Sequence, residues 1–322
     1  MTLPPLCEVY VLTHDRPSLL ARAVASAVVD ARSLPSSATV LVVSSGRRPG
    51  NLPAGVLLLH RPHLSGAAAK RRFVLEHSTA TWIIFLDDDC EVVPGSLVAL
   101  YAAVGAAGGG ADVGAVYPRL EFDGASTLAF DAASASGLTA GMSWLTGPDE
   151  RFRWGPSALV LLRRTAALEV GAFDPRTFGI PAGGEDVDMA RRLELAGWRR
   201  LPCSAATVRH TRSTWNTVAA NVARARSYGW AESELLRLHP GDGVNRVPSP
   251  WRLLQSIAAR CRATPATTPS AQPLARRWAM AGIAALYGLA YRCGRIAHAV
   301  QHRSPRGLVR RYDWTRDIGR AA

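Results

Sequence analysis

Residues 81–89, with the sequence TWIIFLDDD, decide the fold class. The unbroken run of β-forming apolar side chains from Thr81 to Leu86 is typical of a strand that is buried on both faces. Three carboxylates follow at the point where that strand ends, namely Asp87, Asp88 and Asp89. Open α/β sheets bind their ligands at the carboxyl ends of their strands. The stretch therefore predicts an α/β domain with a ligand site at its three aspartates.

The sequence around this strand alternates short apolar runs with helical patterns from residue 8 to about 120. Such alternation is typical of βαβ units and predicts a Rossmann-like, mostly parallel sheet flanked by helices. Further strands are predicted at 8–13, 39–43, 56–59 and, after a loop, within 154–164, and helices at 17–29, 65–77, 94–105 and 185–196. Residues 119–153 are rich in Gly, Ser and Asp, which predicts a loop insertion over the open face of the sheet.

A different kind of region is predicted beyond residue 214. The sequence is helical and basic to about residue 237, passes through a Pro/Thr-rich linker at about 262–274, and ends in a helix at about 275–300. We therefore predict two parts, an α/β domain at 1–214 and a basic helical extension at 215–322.

The charge of the chain is unevenly distributed. Its 322 residues carry a net charge of +13, and 48% of them are hydrophobic, which excludes a disordered chain. Residues 1–190 hold 15 basic and 19 acidic groups, whereas residues 191–322 hold 23 and 6, a net charge of +17. A basic segment of this kind suits nucleic acid, anionic lipid or a phosphorylated substrate, and the charge alone does not choose between them.

The cysteines and apolar runs bear on localisation. The five cysteines are far apart and form no Cys-x-x-Cys pattern, so neither a disulfide framework nor a zinc site is indicated. The first 13 residues are typical of a strand and not of a signal peptide. The longest apolar run, 278–291, is shorter than the roughly 20 residues that span a bilayer. We expect a cytoplasmic protein, with peripheral contact at the inner face of the membrane as a further expectation.

Three adjacent carboxylates at 87–89 repel one another, which favours a bound cation. Magnesium or manganese, held by one or two carboxylates together with water and substrate phosphate, is the natural partner of such a cluster. The alternative is that Asp88 or Asp89 only caps the turn before Pro94.

A second acidic cluster lies in GGEDVD at 183–188. The glycine pair delivers carboxylates to the start of a helix, where Asp186 is ionised at neutral pH and able to act as a general base on a hydroxyl. The alternative for these acids is capping and complementation of the helix dipole. For Asp188 we prefer that alternative, because Arg191 and Arg192 follow at pairing distance along the helix.

Five motifs in a fixed order resemble those of family-2 glycosyltransferases of the GT-A type, which are inverting enzymes that use nucleotide-diphosphate sugars. The motifs are VYVLTHDRP at 9–17, GAAAKR at 66–71, FLDDD at 85–89, WG at 154–155 with GAFD at 171–174, and GEDVD at 184–188. The resemblance covers about residues 7–212. It implies transfer of a hexose-type sugar from a UDP- or dTDP-sugar donor to an acceptor hydroxyl, in a lipid-linked compound, a glycan, a peptide or a small natural product.

The resemblance also implies roles for individual residues. Asp186 would be the general base, with Glu185 beside it. A manganese or magnesium ion would be held by Asp89, the direct ligand, and Asp87, and by His210, for which a purely structural role is an equal alternative. The donor would be contacted by Thr13, Asp15, Arg16, Ser44, Gly66, Lys70, Arg71, Asp87 and Asp88.

The chain departs from the family pattern in two places. The family has Val-Asp-Asp-Gly-Ser after its second strand, whereas VVSSG at 42–46 contains no carboxylate to contact the nucleoside. In addition, Arg71-Arg72 stands where Arg-Asn is common, and the alternatives for the extra positive charge are stronger diphosphate binding or simple solvation.

Two other functions share some of these features. A nucleotidyltransferase on a similar sheet would also need the 87–89 cluster, but it would leave Glu185 and Asp186 unexplained. A nucleic-acid-binding protein would explain the basic extension, but the sequence contains no recognisable nucleic-acid module, so we expect no such partner. For the helix at 275–300, contact with a membrane or the acceptor and packing on the α/β domain are equal alternatives.

Overall fold

The computed structural model describes residues 7–34, 38–108, 110–139, 142, 145–146, 152–179, 183–240 and 274–303. The chain divides into two compact units. The first contains the described residues within Met1–Asp123 and Met142–Thr211, and the second those within Gly124–Gly141 and Arg212–Tyr312. Of the linker predicted at 262–274, only Leu274 lies within the described residues, so that expectation stays a prediction.

The first unit is built on one large sheet. The strands are β1 (Cys7–Thr13), β2 (Thr39–Ser44), β3 (Leu57–His60), β4 (Trp82–Asp87), β5 (Cys90–Val92), β6 (Val113–Asp123), β7 (Leu145–Thr146), β8 (Phe152–Trp154), β9 (Leu159–Arg163) and β10 (Arg199–Thr211). In the described chain, eight of them form the sheet in the order β3-β2-β1-β4-β9-β6-β10-β5, while β7 and β8 pair separately.

The sheet is mixed, although its first half is parallel as predicted. Strands β3, β2, β1 and β4 run parallel to one another. Strand β9 is antiparallel to both of its neighbours, β6 and β10 run parallel, and β5 closes the edge antiparallel to β10. The carboxyl ends of β1, β2 and β4 therefore meet at one edge, and the TWIIFLDDD stretch ends there.

Helices flank this sheet, which confirms the predicted α/β class. They are α1 (Pro17–Ala31), α2 (Gly66–His77), α3 (Ser96–Ala106), α5 (Arg164–Glu169) and α6 (Glu185–Leu195), while α4 (Leu128–Ala135), α7 (Val218–Leu238) and α8 (Leu274–Arg303) belong to the second unit. Pro17 starts α1, a position that tolerates the missing N–H of proline.

Strand β4 shows why the apolar run in its sequence is unbroken. Trp82, Ile84 and Leu86 are buried in one hydrophobic core, and Ile83 and Phe85 are buried in the core on the opposite face. Because successive side chains of a strand point to opposite faces, a strand covered on both sides needs apolar residues at every position. The position of the following aspartates is thus set by two cores.

The structure differs from the sequence-based prediction between 90 and 211. Strands β5, β6 and β10 were not predicted, and the loops expected at 119–153 include the end of β6 and the helix α4. Pro118 and Pro202 obscure the strand patterns, because proline lacks the N–H of a sheet ladder. A β-bulge between Cys203 and Thr207 further breaks the alternation of β10.

The second unit is held together by close packing of α7 on α8. A Cβ atom added at Gly294 would lie 1.9 Å from the carbonyl oxygen of Arg226, and one at Gly229 would lie 1.9 Å from that of Tyr291. Both glycines therefore permit the helix backbones to approach. The buried amide of Asn221 donates to the carbonyl oxygen of Trp215 at 2.8 Å and so ties the start of α7 to the preceding turn.

We expect Gly294→Ala to destabilise the second unit by about 2 kcal/mol or more, because the new methyl group meets backbone that has no alternative rotamer. The matched control is Gly282→Ala on the same helix, where nothing lies within 4 Å of the added Cβ. Since alanine favours helix, the control should be neutral or stabilising by up to roughly 1 kcal/mol. Urea unfolding followed by circular dichroism measures both, and equal midpoints for the two variants would contradict the packing argument.

Candidate active site

Arg71 connects the end of β4 with the start of α6. The residue is 1% exposed, and its guanidinium donates from Nη2 to Asp87 Oδ1 at 2.8 Å and from Nη1 to Glu185 Oε1 at 3.0 Å. Nη2 also donates to the carbonyl oxygen of Ser157 at 3.1 Å, and the ring of Phe173 lies 5.5 Å from Cζ. The two acidic clusters of the sequence thus share one buried cation.

Opposing influences act on the pKa of the Asp87 carboxyl group. Burial raises its pKa to about 7, and the neighbouring Asp89 acts in the same direction, whereas Arg71 lowers it. Even with Arg71 beside it, this group is easily protonated. A further cation at the strand end would favour its ionised form.

Asp88 is fixed by the turn that follows β1. It is 5% exposed, and its Oδ2 accepts from Thr13 Oγ1 at 2.7 Å and from the backbone N–H of His14 at 3.4 Å. Arg16 Nη1 donates to Asp88 Oδ1 at 3.1 Å and to Asp89 Oδ2, also at 3.1 Å. Asp88 therefore joins the ends of β1 and β4, and Arg16 lies over the aspartates on the exposed side.

Lys70 and Ser44 are buried beneath the same edge. Lys70 Nζ donates to the carbonyl oxygen of Thr13 at 3.0 Å and to Ser45 Oγ at 2.9 Å, and burial lowers its pKa. Ser44 Oγ donates to the carbonyl oxygen of Arg47 at 3.2 Å. These contacts position the ends of β1 and β2.

Asp15 brings a carboxylate to the turn after β2, where VVSSG has none of its own. Its Oδ1 accepts from the backbone N–H of Arg47 at 2.5 Å, and its own backbone has a φ of +54°. A Cβ atom at Gly46 would meet Asp15 Oδ1, so a larger residue there would displace this carboxylate. The departure from the family pattern at 42–46 is therefore accompanied by a carboxylate from the neighbouring loop.

Asp89 and His210 face each other across the end of the sheet. His210 Nε2 lies 3.4 Å from Asp89 Oδ1, while His210 Nδ1 is 2.9 Å from the carbonyl oxygen of Thr211. An Nδ1–H donated to that carbonyl places the lone pair of a neutral ring on Nε2, toward Asp89. Residue 210 is positioned by pairing of β10 with β5, in which it is opposite Cys90.

This pair fits a hard divalent cation. Asp89 Oδ1, Cys90 Sγ and His210 Nε2 lie within 4.8 Å of one another. Burial raises the pKa of the Cys90 thiol well above its usual value, which leaves it protonated and unsuited to bind a metal. A carboxylate and an imidazole remain, a donor set that magnesium or manganese completes with substrate and water oxygens. Asp87, predicted as a ligand with them, pairs with Arg71 through Oδ1 at 2.8 Å, and its role as a ligand stays a prediction.

Glu185 and Asp186 lie at the N-terminus of α6. Gly184 precedes the helix with a φ of +94°, which favours glycine. Burial raises the pKa of both acids. Asp186 Oδ1 accepts from the N–H of Val187 at 2.9 Å, and Glu185 Oε2 is buried with no hydrogen bond to any described residue.

Asp188, which follows on α6, forms an ion pair with Arg192 at 2.7 Å. This pairing along the helix is the role that the sequence favours for Asp188. Gly66, one of the predicted donor contacts, is the first residue of α2 and has a φ of +81°.

The contacts of the predicted site residues fall into two groups, one around Arg71 and one around Asp88 and Asp89, and Gly66 belongs to neither. Residues that were not predicted also take part in these contacts, namely His14, Ser45, Arg47, Cys90, Ser157 and Phe173. Phe173 belongs to a motif that the sequence singled out, but nothing in its spacing shows that it lies against Arg71. Ser157 acts through its backbone, which leaves no signal in the residue type.

Known proteins resemble this chain in sequence and in fold. Residues 9–160 match the family model described as glycosyl transferase family 2. A pre-mycofactocin glycosyltransferase from Mycobacterium tuberculosis is 32% identical over 205 residues, which are 62% of this chain and 41% of that protein. An N-acetylglucosaminyl-diphospho-decaprenol L-rhamnosyltransferase from the same species is 28% identical over 56% of this chain and 62% of its own length. The chain thus spans less than two thirds of the relatives it matches.

Two solved structures share the fold. Mannosyltransferase PcManGT from Pyrobaculum calidifontis, in complex with GDP-Man and Mn²⁺, aligns with a TM-score of 0.56 at 17% identity, covering 93% of this chain and 87% of that one. GalNAc-T7 with UDP, GalNAc and Mn²⁺ aligns with a TM-score of 0.50 at 15% identity, covering 80% and 54%. Residues 9–160 of the chain thus resemble glycosyl transferase family 2, and its sheet has the GT-A fold of these two structures.

Proposed function

We propose that the protein transfers a sugar from a nucleotide-diphosphate donor, of the UDP or dTDP type, to an acceptor hydroxyl with inversion at the anomeric carbon. The observation that carries this proposal is the double contact of Arg71 with Asp87 and Glu185. It joins the ligand-binding edge of the sheet and the acids of α6 in one site. The two mycobacterial relatives are named for different acceptors, so we propose the acceptor only as a hydroxyl-bearing compound.

Asp186 is the proposed general base. A burial-raised pKa makes its carboxylate a stronger proton acceptor than an exposed aspartate. In the proposed step the acceptor oxygen forms a bond to the anomeric carbon on one face of the sugar. The bond from that carbon to the diphosphate oxygen breaks on the other face, and the hydroxyl proton passes to Asp186. The nucleoside diphosphate leaves with the bonding electrons.

Arg16, Asp89 and His210 lie at the edge proposed for the diphosphate. When bound by Asp89 and His210, a divalent ion would offset the negative charge of the leaving group. The structures of PcManGT and GalNAc-T7 both hold Mn²⁺ with a nucleotide or nucleotide sugar, which supports this assignment. Arg16 reaches two aspartates and is 46% exposed in its side chain, so it is available to contact the diphosphate as well.

The direct test is to screen nucleotide-diphosphate sugars with Mn²⁺ by thermal shift, since a ligand that binds the native state raises its apparent stability. Donors that stabilise the protein are then incubated with acceptors, and the released product is identified. Nucleoside diphosphate is the expected product. Pyrophosphate would indicate nucleotidyl transfer instead, and the absence of any stabilising donor would overturn the proposal.

We expect Asp186→Asn to retain donor binding and to lower kcat by roughly 10²-fold or more, because the amide cannot accept the proton. The matched control is Asp188→Asn two residues along α6, whose ion pair with Arg192 is structural. That variant should keep kcat within a few-fold of wild type. A similar kcat for both variants would remove Asp186 as the base.

We expect Asp89→Ala and His210→Ala to weaken the Mn²⁺-dependent part of nucleotide binding by at least about tenfold each, because each removes one ligand atom. Cys90→Ala is the control, since its protonated thiol is not proposed as a ligand although it belongs to the same cluster. Titration calorimetry with and without Mn²⁺ measures the effect. Unchanged Mn²⁺ dependence in the first two variants would contradict the ligand assignment.

We expect Arg71→Met to destabilise the protein by about 3 kcal/mol, because Glu185 stays buried without its cation and Asp87, which is 32% exposed in its side chain, loses its partner. The adjacent Arg72→Met removes a more exposed guanidinium, 31% exposed in its side chain, and should cost about 1 kcal/mol or less. Thermal or urea unfolding compares the two variants. Equal loss of stability would show that burial of the Arg71 bridge has no special importance.

A further inference from the structure

Helix α8 has apolar residues on two opposite faces. The inner face packs on the rest of the second unit through the buried residues Ala284, Tyr287, Tyr291 and Gly294. Tyr291 Oη also donates to a carboxylate oxygen of Glu232 on α7. The inner face is buried in the packing of the second unit. Other large apolar residues of α8 are exposed.

The outer face carries large apolar side chains in solvent. We call the following set the outer stripe: Leu274, Trp278, Leu286, Leu289, Ile296 and Val300, whose exposed fractions range from 43% to 70%. Together with the exposed Gly282 and Cys293, these residues follow one another at intervals of three or four positions. They therefore align along one side of the helix. From residue 274 to 300 the outer stripe is about 39 Å long. Contiguous apolar surface of this extent marks an interaction site.

The charges on α8 indicate the chemistry of the partner. The helix contains five arginines and neither Asp nor Glu. At 100° per residue, Arg277, Arg292 and Arg295 fall between the inner face and the outer stripe, along one border of the stripe. Arg292 is exposed, while Arg295 lies 3.7 Å from Glu232. A cationic border beside an apolar stripe complements an anionic phospholipid surface.

A second copy of the chain is a less suitable partner. It would bring the same acid-free helix, with its arginines, against this one, and like charges at close range repel. Nucleic acid would suit the arginines but not the apolar stripe. Among the described helices, none is long and apolar enough to cross a bilayer. Since the inner face is covered by protein, only the outer side of α8 can contact lipid.

We propose that α8 lies in the plane of an anionic membrane surface, with the outer stripe in the boundary between head groups and acyl chains and its arginines at the head groups. This binding goes beyond the proposed sugar transfer and does not rest on it. The acid-free composition of α8 implies that the attraction is electrostatic as well as apolar and weakens with salt.

The test is flotation of the full chain with two kinds of vesicle, one of phosphatidylcholine alone and one with equal parts phosphatidylglycerol. We expect the protein to float with the anionic vesicles and much less with the neutral ones. The double variant Leu289→Glu with Ile296→Glu should partition onto the anionic vesicles at least about tenfold less. The reason is that two charged side chains replace apolar ones at the proposed contact with the acyl chains. Arg292→Glu should also weaken binding, and only to the anionic vesicles.

The control is Val29→Glu with Leu195→Glu in the first unit. Their exposed fractions, 61% and 64%, match the 60% and 63% of Leu289 and Ile296. The control should float like wild type. Melting temperatures of both double variants that equal that of wild type establish that neither variant unfolds. Failure of wild type to float, or equal flotation of the two double variants, would overturn the proposal. A dimer in solution that the outer-stripe variant dissociates, with no flotation, would identify a second copy as the occupant.

Flotation needs neither donor nor acceptor. A protein that floats but turns over no nucleotide sugar would therefore count against the proposed function alone, and one that turns over donor in solution without floating would count against the membrane surface alone.

Discussion

The buried guanidinium of Arg71 is the interaction on which the rest of the site depends. A single cation contacts Asp87 at the end of β4 and also Glu185 at the start of α6, which is 114 residues from Arg71 in sequence. Removing charges from water is expensive, and this group is tolerated because carboxylates and a backbone carbonyl receive its N–H groups. The bridge brings two clusters of acids close together, where they would otherwise repel.

The burial of this bridge also shapes the proton chemistry around it. Asp87, Glu185 and Asp186 all have raised pKa values, chiefly because they are desolvated, while Arg71 opposes the shift in each. A site for sugar transfer needs a carboxylate that is ionised and yet basic, and another region that accepts the charge of a leaving diphosphate. Desolvation serves the first need, and the exposed Arg16 with Asp89 and His210 is suited to the second.

Local patterns in the sequence predict the parallel half of the sheet well. Strands such as β4 have unbroken apolar runs because both faces are covered, and the helices between them begin and end at recognisable signals. Strands β6 and β10 are not recognisable in the sequence because Pro118, Pro202 and a bulge interrupt their patterns. In the site, residue types reveal the aspartates, but contacts such as that of Phe173 with Arg71 depend on tertiary packing that no local pattern encodes.

The way in which α4 belongs to the second unit limits how the chain can be shortened. The backbone leaves the first unit after Asp123, returns near residue 142 and leaves again after Thr211. A protein cut after Thr211 would therefore keep α4 without α7 and α8. Phe130, Ala132 and Ala133, which are buried in the intact chain, would then face water. A protein shortened at the C-terminus alone would aggregate through this newly exposed apolar surface, and its aggregation would give no information about catalysis.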